Sequence, residues 1–302
     1  MEQNARMPVV KYCPICNSED TELYLEGDDD LHEESIGSSR TKLSHGRILR
    51  CRACGSCFRS LRPEPEQLAR LYQSADDTVY ESEILNRRRT AQRQYRIVER
   101  QRSRPGIVID VGCGSGIFLH LMAERGWTVH GVEPAASQCA RARCLLPETA
   151  SIHEAVLDEA TLPCNADVVT LWDVLEHVPH PSEFLGKCAA LLSPGGLVIL
   201  NVPRIDSIPS KLLRSRWPLL LAEHLNYFSI DGLRAAGRRS GMALVATARR
   251  PVTFSLDYIC FRLSQHGLPG IGVLRNALSS LKIQDWSVPL FTGEIVAIFT
   301  KS

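Results

Sequence analysis

A chain of 302 residues exceeds one average domain and has room for a fold of about 200 residues with something smaller attached. Its formal net charge is +1, with 23% charged and 44% hydrophobic residues, a balance that gives no general attraction for nucleic acid or an anionic membrane. The opening Met1-Glu2-Gln3-Asn4-Ala5-Arg6 lacks the basic-then-apolar design of a signal peptide, and no apolar run approaches the roughly 18 residues of a membrane span, so a cytoplasmic protein is expected.

Residues 1–63 carry Cys13-Pro14-Ile15-Cys16 and Cys51-Arg52-Ala53-Cys54-Gly55, two C-x-x-C pairs around a polar stretch, Glu26 to Glu34, that cannot pack a core alone. Thiolates so spaced each supply two corners of a zinc tetrahedron, and four sulfurs leave no corner open, so Cys13, Cys16, Cys51 and Cys54 are expected to hold a structural Zn2+ in a zinc ribbon. The 34 intervening residues exceed usual finger spacing and imply a long polar hairpin or loop. Cys57, beside Phe58, reads as a small buried hydrophobe.

Residues 64–104 read as a helical linker and cofactor lid. Leu68, Leu71 and Tyr72 sit three and four apart, and Ile84, Leu85, Tyr95, Ile97 and Val98 punctuate an Arg-rich run. Arg87-Arg88-Arg89 within it is a solvated helix face or a contact for a phosphorylated acceptor.

From 105 to 302 strands and helices alternate: strand 107–109, helix 117–125, strand 128–132, helix 135–144, strand 166–172, helix 182–192, strand 197–202. A helix capped by Ser229 runs to Ser240, and strands follow at 242–248 and 295–300. Such repeated units predict an α/β domain with a parallel sheet covered on both faces.

The first of these strands runs into Gly112-Cys113-Gly114-Ser115-Gly116, where glycines permit a tight turn and close approach of a ligand. The pattern is G-x-G-x-G with Asp110 two residues ahead, and not the G-x-G-x-x-G of a pyrophosphate site. An acid facing the loop repels phosphate and accepts from the ammonium of a methionyl group. Glu133-Pro134 ends the next strand, 23 residues after Asp110, where a carboxylate can hold both ribose hydroxyls.

Val108 to Gly116 resembles the cofactor loop of class I S-adenosylmethionine-dependent methyltransferases, a resemblance extending over about residues 80 to 302. Leu171-Trp172-Asp173-Val174-Leu175-Glu176-His177-Val178, Ser193-Pro194-Gly195-Gly196 and Glu223-His224-Leu225-Asn226-Tyr227-Phe228-Ser229 resemble phrases of a large bacterial group acting on small molecules. The resemblance implies a Rossmann-like, seven-stranded sheet with its last strand antiparallel. It implies S-adenosylmethionine against Asp110, Gly112, Cys113, Gly114, Gly116, Glu133 and Pro134, adenine contacts from Val156-Leu157-Asp158, and Trp172, Asp173 and His177 bordering the methionyl end. The cysteine pairs are similar to the zinc module of sugar C-methyltransferases. Those enzymes carry a further C-terminal domain and this chain ends at Ser302, which counts against sugar C-methylation. O-methylation of a sugar, glycolipid or secondary metabolite is the leading expectation.

Methyl transfer needs an aligned acceptor and, for a hydroxyl, a base. His224 lies in the connection 203–228, where acceptor-binding elements are expected, with Tyr227 three residues on; His177 follows strand 166–172 toward the same crevice. Either histidine can instead be structural, and Tyr227-Phe228 can simply pack the connection onto the sheet. Residues 255–283, rich in leucine and isoleucine, read as an insertion that caps the acceptor pocket, forms a homodimer face or rests on a membrane, the first two favoured by its few basic residues. N- or C-methylation, an RNA target, which would need a basic groove, and a non-catalytic zinc-ribbon adaptor are the competing readings.

Overall fold

The computed structural model describes residues 10, 12–27, 45–62, 84–221, 223–249, 252–265 and 270–301. The helical pattern expected around Leu68, Leu71 and Tyr72 and most of the polar stretch 26–34 lie outside the described residues.

Three short strands, β1 (Thr21–Leu25), β2 (Ile48–Cys51) and β3 (Cys57–Arg59), open the described part. Helix α1 (Ile84–Gln101) buries Ala91, Gln94 and Val98, spaced for one helical face. There follow β4 (Ile107–Val111), α2 (Ile117–Ala123), β5 (Thr128–Glu133), α3 (Ala136–Leu145), β6 (Ser151–Glu154), β7 (Ala166–Trp172), α4 (Pro181–Ala190) and β8 (Leu192–Pro203). Helix α5 (Ile208–Leu213), the two-residue β9 (Asn226–Tyr227), α6 (Ile230–Arg239), β10 (Met242–Arg249), β11 (Val252–Ser255), α7 (Leu256–Gln265), α8 (Ile271–Ser280), β12 (Ser287–Leu290) and β13 (Glu294–Lys301) complete it.

Seven strands form the main sheet in the order β10-β13-β8-β7-β4-β5-β6, with β13 antiparallel to both neighbours as the family resemblance implied. Strand alternation divides its apolar residues cleanly. Val108, Val168, Ile199 and Val296 face α1, α2 and α3; Ile109, Val169, Leu200 and Ala297 face α4, α6 and the cysteine segment. Each such fully buried Val, Ile or Leu side chain contributes about 1.5–3 kcal/mol, so the core is anchored on these strands. Strand β6 was not expected: Ser-Ile-His-Glu has no apolar run, and an edge strand needs none because it pairs on one side.

Ser229 caps α6 as expected, its hydroxyl accepting from Gly232 N at 2.8 Å. Most of the described residues of the 255–283 insertion form helices α7 and α8, and the paired strands β11 and β12 flanking it meet α1, where Arg89 donates to Ser287 and Arg93 to Thr253. Arg89 of the arginine run is thus tied to this strand pair. Val273, Leu274 and Leu281 of the insertion, and Trp286 just beyond it, are exposed.

The second sheet, β1-β2-β3-β9, joins the cysteine segment to a strand from the far half of the chain: Cys57 pairs with Tyr227 and Phe58 with Asn226. No helix among the described residues is long and apolar enough to cross a membrane.

Candidate active site and cysteine cluster

Strand β4 runs at Val111 into the glycine-rich loop. Gly112 N and Cys113 N both donate to Val132 O, at 2.8 and 3.1 Å, folding the loop across β5. Gly112, Gly114 and Gly116 take φ of 75°, 51° and 77°. A Cβ on Gly112 would stand 2.6 Å from Val174 Cγ2, so conformation and space both demand glycine there. Cys113 is buried, and burial pushes its thiol well up, which makes it packing rather than a nucleophile.

Asp110 is 2% exposed and accepts from Thr170 Oγ1 at 2.6 Å. Burial pushes its carboxyl up to about 7; the Thr170 bond opposes this and the charge of Glu133 adds to it. Glu133 accepts from Gly114 N through one oxygen and from Ala135 N through the other, each at 2.9 Å. Burial raises its carboxyl as well, against those two amides. One lone pair on each oxygen is taken, which leaves each an acceptor site for a vicinal hydroxyl. Two buried acids beside glycine amides suit a cationic amino-acid head on a ribose, so the residues present fit S-adenosylmethionine.

Other expected contacts divide. Trp172 packs edge-on against Phe118 of α2 at 5.4 Å between centroids. Asp173 sits at φ 58°, uncommon for a non-glycine residue, held by Asn201, which donates to its carboxylate and accepts from its N–H at 3.1 Å. Leu157 packs on the core, whereas the Asp158 carboxylate turns to Lys187 Nζ at 2.6 Å. Thr170 and Asn201 were missed. A hydroxyl between Val169 and Leu171 was the signal for Thr170, since a buried polar residue in such a strand has a partner.

The two histidines come together. A 3-10 turn, Leu175–His177, follows Val174, the residue against Gly112, and sets the His177 ring 4.9 Å from that of His224, edge to face. His177 Nδ1 lies 3.0 Å from Glu223 O, and His224 Nδ1 lies 2.9 Å from Leu219 O. A carbonyl only accepts, so both rings carry the proton on Nδ1 and present Nε2 as the basic nitrogen. Burial lowers the His177 pKa and keeps the ring neutral, against the pull of Glu223 and Asp173. One ligand-type atom from each of Glu176, His177 and His224 lies within 4.8 Å of the others. The Tyr227 ring is 6.0 Å from His224, and its hydroxyl donates to Leu221 O at 3.3 Å. Burial pushes that phenol far up, so it stays protonated.

The four cysteines of the two pairs also converge, all sulfurs within 4.8 Å. Cys13 and Cys54 sulfurs are 3.8 Å apart and those of Cys16 and Cys51 3.5 Å, close to the edge of about 3.8 Å in a tetrahedron with 2.3 Å zinc–sulfur bonds. Asn17 and Gly55, each directly after a pair, take φ of 65° and 71° and close the two knuckles alike. The hydrogen bond between Cys13 and Cys54 pushes the Cys13 thiol up, with burial adding to it, and pulls Cys54 down against burial: without a cation these sulfurs cannot all be charged. The donor set and spacing fit zinc.

A glycine loop after the first strand of the main sheet, an acid closing the second and an antiparallel strand inside a parallel sheet define a Rossmann-like methyltransferase fold. The chain belongs to the methyltransferase-domain family, whose model matches residues 84–247, more than half of it. It is similar to the ubiquinone biosynthesis O-methyltransferases of Azoarcus sp. (strain BH72), 37% identical over 99 residues, and of Stutzerimonas stutzeri (strain A1501), 40% identical over 101 residues. Each match covers 31% of this chain and 42% or 43% of the relative, so the chain spans about two-fifths of the length of these curated relatives. The 1,6-didemethyltoxoflavin-N1-methyltransferase of Burkholderia thailandensis shares the fold at 16% identity and a TM-score of 0.52, covering 82% of this chain and 96% of that one.

Proposed function

We propose that this chain is an S-adenosylmethionine-dependent methyltransferase acting on a hydroxyl of a small molecule, with His224 as the general base. The observation that carries the reading is the pair of imidazole rings meeting edge to face, each with Nδ1 against a backbone carbonyl, next to the residue that touches the glycine loop. The curated relatives, named as O-methyltransferases, favour oxygen over nitrogen or carbon.

When bound, the cofactor supplies a methyl group on a sulfonium, an electrophile whose leaving group is already cationic. Asp110 takes the methionyl ammonium and Glu133 the ribose hydroxyls. His224 Nε2 removes the acceptor proton while Leu219 O holds the ring by its Nδ1–H. His177, kept neutral by burial, adds no positive charge against the sulfonium and aligns the acceptor. Tyr227, fully buried with its ring 6.0 Å from that of His224, packs behind the histidine pair and supports it. The four cysteines hold a structural zinc.

His224→Ala is expected to lower the methyl-transfer rate roughly 10²- to 10⁴-fold and leave S-adenosylmethionine affinity by calorimetry nearly intact. Full turnover would return His224 to a structural role. Cell extracts incubated with labelled S-adenosylmethionine, with product mass and linkage determined, supply the acceptor and distinguish oxygen from nitrogen or carbon. A second reading, favoured by the convergence of Glu176, His177 and His224, is a divalent cation that binds the acceptor oxygen there. Turnover that a chelator abolishes and Mg2+ restores selects it.

A further inference from the structure

The strand that completes the cysteine sheet begins two residues after His224, and the contact is more than a strand pairing. Arg62, three residues beyond β3, is 5% exposed, its guanidinium 5.8 Å from the Phe58 ring centroid. Nη1 donates to Pro179 O at 2.6 Å; Nη2 donates to Leu225 O at 3.0 Å and to Asn226 Oδ1 at 2.6 Å. Pro179 lies two residues after His177 and Leu225 one after His224, so one planar cation holds both histidine-bearing segments. Asn226 closes the ring of contacts by donating to Val178 O at 2.7 Å, and Leu225 N donates to Glu176 O at 2.9 Å. From the cysteine side, Arg59 N donates to Leu225 O at 3.0 Å, and Ile15, inside the first knuckle, accepts from Ser182 Oγ of α4 at 2.7 Å.

Charge explains why a cation is tolerated at this depth. Burial pushes Arg62 down, to about 9, and the sulfur of Cys13 is the neighbour that pushes it back up most. Four thiolates around one Zn2+ would carry a net charge of about −2, and a cluster so loaded would supply a counter-charge to the buried guanidinium. A neutral side chain of equal length would supply neither the charge nor the fork.

We propose that Arg62 is the positioning residue of the histidine pair: it ties the cysteine cluster to Pro179 and Leu225 and thereby sets how His177 and His224 face one another. This rests on the reading of those histidines as the acceptor-side pair. The cysteine segment is then a working part of the acceptor site, acting through the backbone that bears the two rings.

The test is made on the full chain with 15N-labelled histidine, reading the tautomers of His177 and His224 by long-range proton–nitrogen correlation, with signals assigned from His177→Gln and His224→Gln. The wild type is expected to show single Nδ1–H forms. Arg62→Gln should retain one zinc per chain and bind S-adenosylhomocysteine with unaltered affinity by calorimetry, yet lose the single-tautomer signals of both rings. Should Arg62→Gln not accumulate as folded protein, Arg62→Lys, which keeps a charge but cannot span both carbonyls, is read in the same way. Unchanged tautomers in either folded variant overturn the proposal. So does S-adenosylhomocysteine affinity lost in parallel, because Arg62 would then serve the whole fold. If His224→Gln retained full methyl transfer, the assignment of the base would fail while the tautomer result for Arg62 still stood.

Discussion

Asp110 is a carboxyl whose charge depends on what occupies the loop beside it. Its folded pKa, raised to about 7, lies above the ordinary value of 3.8, so the empty protein binds a proton there that the unfolded chain releases. That contribution to stability is present below the ordinary carboxyl range and is lost as pH rises toward 7. A methionyl ammonium bound there, as proposed, would reverse the preference by stabilising the carboxylate. S-adenosylmethionine affinity should therefore rise roughly tenfold between pH 6 and pH 8, with about one proton released per ligand at pH 6. Calorimetry in two buffers of different ionisation enthalpy reads this, and affinity flat across that interval would remove Asp110 from the cofactor site. Glu133→Ala should weaken S-adenosylmethionine and S-adenosylhomocysteine alike by about 1–3 kcal/mol, since they share the ribose. Unchanged calorimetric affinity for both would mean that its two amide bonds are its whole role.

Among the elements, α6 makes the seam between the cysteine segment and the main sheet. A Cβ on Gly232 would fall 1.9 Å from Ser56 Oγ, the same hydroxyl that accepts from Ser229 N at 3.0 Å. Alanine normally favours a helix by about 1 kcal/mol over glycine. Here Gly232→Ala should destabilise by about 1–3 kcal/mol through overpacking, seen as a lower urea midpoint. A higher midpoint would show the seam to be loose. The elements legible in the sequence were those with a period or a continuous apolar run: β4, β7, α4 and the capped α6 fall within a few residues of expectation. The glycine loop and the cysteine pairs were legible because their chemistry fixes local spacing. Strands β6 and β9 were not, because four and two residues carry no period. Nor was the Arg62 clamp, whose partners Leu225 and Asn226 lie 163 and 164 residues away and are set by tertiary pairing alone. Pairing of this kind also brought the His177 ring against that of His224.

On the scale of the whole molecule, the shared second sheet makes the cysteine cluster a determinant of global stability. One equivalent of zinc should copurify, and Cys16→Ser should lose it, leaving an incomplete tetrahedron. Because β9 and Ser229 tie the cluster to the main sheet, that loss should lower the melting temperature of the entire chain. The signals of buried Trp217 and of far-ultraviolet circular dichroism should move together. Elemental analysis without zinc in fresh wild type, or a cysteine segment that melts separately, would contradict this. The pairing of Phe58 with Asn226 also has a consequence for synthesis on the ribosome. The two knuckles emerge early, but the strand that completes their sheet follows roughly 170 residues later, on the order of ten to thirty seconds at ordinary elongation rates. For that interval β3 offers an unpaired edge to the cell, and early capture of zinc is what would keep the nascent segment from pairing with the wrong strand.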